Sequence, residues 1–183
     1  MTTTLAVVDR ILTGAELAGL GLDAEPGSTS VEHVVLGRTD ALCVVHLPAH
    51  TLLVDGGDHL AQTFDVERLD QPGTWHVALA DDTAEYAEYR VFRSGERVRH
   101  LIGQRGRLGS SGEPVADESA FLIGDELDGD LLIQHLPAVA GATAGGRGFD
   151  LLVLTGQPHR ARVRETVAAG ASKRGFFRRL FGS

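Results

Sequence analysis

The sequence predicts an α+β fold, a predominantly antiparallel β-sheet with a few short helices and a basic amphipathic C-terminal tail. Three observations predict it. Short apolar runs of strand length recur through the first 102 residues. One of them, EYAEYRVFRSGERVRHLIG, folds back on itself at Ser94-Gly95, a pair suited to a tight reverse turn. The last eleven residues, KRGFFRRLFGS, set cations and phenylalanines at helical spacing.

Taken in order, TLAVVD at 4–9 reads as a strand, and TGAELAGLGL as a short helix. Thr13 is its N-cap, with Glu16 three residues on at the capping-box spacing. DAEPGSTS reads as a loop from its Pro, Gly and Ser. VEHVVLG and ALCVVHL flank RTD as a hairpin, HTLLVDGG follows as a strand, and GDHLAQTFDVERL holds a short helix before QPG. In the Ser94-Gly95 hairpin, Ala87, Tyr89 and Val91 share one parity while Tyr86, Glu88, Arg90 and Phe92 share the other. Both faces of that strand therefore carry apolar material to bury. Downstream, RGRLGSSGEPVADE reads as Gly-rich loop, and DLLIQHL and FDLLVLTG as further strands around the connector AVAGATAGGRG.

Composition sets the class. The chain has 183 residues, 43% of them hydrophobic and 23% charged, which suits one globular domain. Residues 1–168 form that α+β domain; residues 169–183 form a flexible joint and the tail. The lone Cys43 lies in an apolar run, the setting of a reduced, buried thiol in a cytoplasmic protein. MTTTLAVVDRILTG lacks the cationic start of a secretory signal, and the apolar runs are all short of the ~18 residues that span a bilayer.

Charge is partitioned. Residues 1–157 carry 10 basic and 24 acidic groups, a formal −14, whereas residues 158–183 carry 7 basic and 1 acidic, a formal +6. An acidic body repels phosphate backbones, so nucleic acid is excluded as its partner. Arg160, Arg162 and Arg164 alternate, as on an exposed edge strand guarded by charge. As a helix, 173–181 sets Phe177, Leu180 and Phe181 on one face with Phe176 at its flank, and Lys173, Arg174 and Arg178 largely opposite, with Arg179 completing the cationic set. These residues are the candidate contact with another protein, with folding back onto the acidic body as the second reading and weak, salt-sensitive contact to an anionic membrane as the third.

Chemistry has fewer footholds. HLPAHTLLVDGGDH places His46, His50, Asp55, Asp58 and His59 within fourteen residues, the ligand types of zinc and related metals. A metal-dependent hydrolase built on that cluster is the alternative function. TLLVDGG resembles an early strand of metallo-β-lactamase-type hydrolases, but the two histidines flanking one residue and followed by Asp-His that mark that family do not follow it. Without a metal, His46 belongs to a strand and Asp55 to His59 form a turn and a helix cap. Asp125, Glu126, Asp128 and Asp130 do not match the calcium-loop order and read as a solvated turn between strands. GATAGGRG lacks the Gly-Lys-Ser/Thr of a phosphate loop, and Ser110-Ser111 has no nucleophile elbow. The expectation is a cofactor-free binding protein.

The segment from Trp75 to Glu118, with its Trp strand, Tyr-rich strand, Gly turn and GEP loop, resembles a pattern found in uncharacterised actinobacterial proteins. That resemblance implies no activity and assigns no role to any residue.

Overall fold

The structure, a computed structural model, describes residues 2–20, 22–28, 42–55, 72–142 and 159–163. Its strands are β1 (Thr2–Val8), β2 (Leu22–Ser28), β3 (Leu42–His46), β4 (Thr51–Asp55), β5 (Thr74–Asp81), β6 (Tyr86–Arg93), β7 (Glu96–Gln104), β8 (Arg107–Ser111), β9 (Leu122–Ile123), β10 (Glu126–Leu127) and β11 (His159–Val163). Its helices are α1 (Gly14–Gly19) and α2 (Gly129–Val139), with a 3-10 turn at Glu118–Ala120. Among the described residues, nine strands form one sheet in the order β2-β11-β3-β4-β1-β5-β6-β7-β8, every neighbouring pair antiparallel, and β9 with β10 makes a separate ribbon. The expected antiparallel sheet with few helices is therefore present.

Alternation along the strands makes two cores. Leu5, Val7, Val54, Ala78, Tyr89 and Leu101 point to one face, where Leu132 and Leu136 of α2 and the ring of Phe121 cover them. Ala6, Val8, Leu53, Trp75, Val77 and Phe92 point to the other, against Leu12 and Leu17 of the α1 region. The scarce aromatics are spent here: Trp75, Tyr89, Phe92 and Phe121 are among the largest fully buried side chains.

Most local readings correspond to elements. Thr13 caps α1 in a full capping box with Glu16. β6 and β7 meet at Ser94-Gly95, and β7 and β8 at Arg105-Gly106, with positive φ at all four positions as in the primed turns that match strand twist. Four readings are corrected, in whole or in part. DLLIQHL belongs to α2, because Asp128 caps it by accepting the Leu131 N–H at 2.9 Å and its apolar positions 132, 133 and 136 repeat at helical spacing. Of the acidic run, Asp125 lies in a turn between strands, β9 and β10, as expected, whereas Glu126 belongs to β10, Asp128 caps α2 and Asp130 sits in its first turn. DAEPGSTS contributes to β2 rather than forming a loop throughout, and the β2–β11 register shifts where Pro26 and Gly27 fall, a break a strand needs at a residue lacking an N–H. Arg160 and Arg162 lie on β11, between β2 and β3 and not at the sheet edge, in register with Glu25 and Asp23. VEHVVLG, the 59–71 helix, FDLLVLTG and the tail lie outside the described residues.

Candidate functional site

The β3–β4 hairpin places His46 and Asp55 of the His46–His59 cluster. His46 and Thr51 are directly paired, with His46 Nδ1 3.2 Å from Thr51 Oγ1, and that hydroxyl also accepts the Leu12 N–H at 2.9 Å. Asp55 is fully buried at the far end of β4, four residues from Thr51 and so roughly 13 Å along the strand. His46 and Asp55 thus stand at opposite ends of β4. Among the described residues, His, Cys, Asp and Glu form no group of three or more placed to hold a metal ion. Asp58 and His59 lie outside them, as do Lys173, Arg174, Phe176, Phe177, Arg178, Arg179, Leu180 and Phe181. Burial pushes the Cys43 thiol up to about 12, which keeps it protonated and unreactive.

Two buried polar clusters that sequence reading missed organise the β5–β8 end. On one face, Glu88 is 4% exposed. It accepts from Tyr86 Oη at 2.9 Å and His100 Nε2 at 2.7 Å, and pairs with Arg90 Nη2 at 3.1 Å. Burial alone would raise its carboxyl, but the His100 hydrogen bond, the Arg90 charge and the Tyr86 hydroxyl together hold it below the usual value. A carboxylate saturated by three partners is a weak base, so the cluster ties β6 to β7. The parity pattern of Tyr86, Glu88 and Arg90 was visible in sequence; their convergence with His100 requires the register.

On the other face, Arg99 is 6% exposed and forks onto Glu118, Nε to Oε1 at 2.8 Å and Nη2 to Oε2 at 2.5 Å. Its Nη1 donates to Ser110 Oγ at 2.8 Å and to the carbonyls of Ser111 and Gly112 at 3.3 and 2.5 Å. The guanidinium therefore fastens the end of β8 to the 3-10 turn. Gly112, at φ +77°, completes the clamp, since a Cβ there would strike the Val98 carbonyl oxygen. Close by, His76 Nδ1 and Tyr89 Oη share a 2.9 Å hydrogen bond, and Tyr89 packs edge-on against Phe121. Desolvation lowers His76 to about 4.

Two surfaces result. A cleft of about 380 Å³ opens where the Asp82–Glu85 and Arg105-Gly106 turns meet the start of α2. Its floor includes Ala80, Ala87, Gly103 and Leu127, and its rim carries Asp81, Asp82, Glu85, Glu126, Asp128 and Asp130 against Arg105 and Arg107, so it is acidic. The second surface is β8, the last strand of the sheet among the described residues, exposed along its length except for half-buried Leu108. The Arg105-Gly106 turn makes Gln104 and Arg107 a hydrogen-bonded pair, so alternation directs the backbone groups of Gly109 and Ser111 toward β7 and those of Leu108 and Ser110 away from it. A search of family models, curated proteins and solved structures finds no match to the chain.

Proposed function

We propose that the chain is a non-enzymatic, cytoplasmic protein-interaction module: the β-rich body engages another protein, and the basic tail with Phe176, Phe177, Leu180 and Phe181 docks on it. The observation that carries this reading is the β8 edge, which presents the outward backbone groups of Leu108 and Ser110 on a strand fastened from behind by Arg99. A sheet edge held in place offers main-chain hydrogen bonds without first having to be ordered. Among the described residues no helix is long and apolar enough to cross a membrane. Attachment by the tail to an anionic leaflet remains the lesser form of the same reading.

A second reading has its own observation. The acidic cleft over an apolar floor complements the tail in charge and in apolar character, which favours the tail folding back on its own body. Removing residues 172–183 separates the readings. For a docking tail, the truncated chain melts at the same temperature, and a protein retained by the full chain is released by a synthetic 173–183 peptide. For a folded-back tail, the melting temperature falls by ~2–4 °C for each kcal/mol lost. Retention that survives both truncation and peptide, with an unchanged melt, overturns the role given to the tail. Flotation with anionic vesicles that truncation abolishes supports the membrane form.

A further inference from the structure

We propose that the β8 edge pairs with β8 of a second copy of this chain, joining two sheets across a two-fold axis at Gly109. The inference rests on reading the body as an interaction module and names the partner of its open edge.

Self-pairing demands that outward-facing residues meet outward-facing residues. In the antiparallel register centred on Gly109, Leu108 of one copy meets Ser110 of the other, and both have outward backbone groups. This centring alone pairs all five residues of β8, with Arg107 opposite Ser111. No like charges face each other within it. It also carries exposed Arg105 and Arg107 of each copy toward the end where exposed Glu113 leaves the partner strand, giving charge complementarity twice over by symmetry.

Of the usual guards of an edge, β8 has only the charge of Arg107. It contains neither Pro nor Lys, and its register with β7 runs without a shift, whereas the β6–β7 register has one between Val91 and Phe92. Three of its five residues are Gly109, Ser110 and Ser111, so a second backbone can approach without large side chains intervening. The area such a strand buries is small, which places the dimer at the weak, reversible end of protein association.

Gly109 supplies the test, because it lies on the axis and a Cβ there meets Ile102 only at ordinary contact distances, 3.8 and 3.9 Å. Gly109→Lys and Gly109→Glu each set like charges opposite one another in the dimer while leaving the protomer room to fold. Sedimentation velocity of the full chain, up to about 1 mM, is expected to show a concentration-dependent dimer. Each variant alone should dimerise about fivefold more weakly, and their equimolar mixture on the order of tenfold more tightly than either variant. A wild-type chain that stays monomeric, variants that dimerise like the wild type, or a mixture no tighter than its components would overturn the proposal. Should a variant fail to fold, amide exchange on the wild type decides: Leu108 and Ser110 must gain protection as concentration rises. Dimerisation lost on removing residues 172–183 would also overturn it, moving the contact to the tail, whereas failure of the tail to dock leaves β8 pairing untouched.

Discussion

Arg99 and Glu118 show what a single buried contact does here. Each guanidinium nitrogen donates, Nε and Nη2 to Glu118 and Nη1 to Ser110, Ser111 and Gly112, so the ion pair is both buried and hydrogen-bonded. Removing one partner strands a buried charge, and Glu118→Ala should cost about 3–5 kcal/mol in urea unfolding. The double variant Arg99→Met/Glu118→Leu should cost less than either single change; a double variant costing their full sum would contradict the buried-pair account. His76 gives the molecule a pH signature. An unfolded histidine protonates near pH 6.5, whereas burial lowers His76 to about 4. Between those values the unfolded chain binds the extra proton. Stability is therefore fully present above about pH 6.5 and falls by up to ~1.4 kcal/mol per unit until about pH 4. Replacing His76 with Gln, which keeps a polar partner for Tyr89, should remove about 2 kcal/mol of the stability difference between pH 7 and pH 5. An unaltered difference would show that His76 is not the group responsible. Glu88 acts lower: its depressed carboxyl stabilises above the ordinary carboxylate range and loses that contribution as acid protonates it.

Among the elements, α1 and the Ser94-Gly95 hairpin were legible because their signals are local, a capping box in one case and a turn pair between alternating runs in the other. Thr13→Ala should accordingly cost about 1 kcal/mol by chemical denaturation. α2 was hidden because a short apolar run fits strand and helix alike; the deciding residue was Asp128, which the sequence offered as one acid in a cluster and the fold uses as a cap. The β7–β8 hairpin was hidden inside a Gly-rich stretch, although Arg105-Gly106 is a two-residue connection of the same kind as Ser94-Gly95. β2 was masked by Pro26, which a strand tolerates at the register shift found there. The candidate site itself was not legible. Joining Glu88 to His100, or Arg99 to Glu118, needs strand register and a turn 19 residues downstream, neither of which periodicity supplies. Packing of the β9–β10 ribbon onto the sheet makes a sharper demand. A Cβ on Gly103 would lie 2.8 Å from Leu127 Cβ, so Gly103→Ala should destabilise by ~1–3 kcal/mol, and a neutral result in the same unfolding assay would show that the ribbon shifts freely.

At the scale of the molecule, a sheet covered by helices on both faces ends, among the described residues, in an exposed strand, in a chain whose charge is split between an acidic body and a basic end. Truncation, charge swaps at Gly109 and peptide competition each probe one consequence of that arrangement. The premise common to the β8 reading and its dimer is that the outer side of the strand is open in the single protein. Amide hydrogen exchange, followed residue by residue in protein dilute enough to be monomeric, reads this directly. Gly109 and Ser111, bonded to β7, should exchange slowly, while Leu108 and Ser110 should exchange at least tenfold faster. Equal protection at all four amides in the monomer would mean that the chain covers its own edge, and would contradict the account.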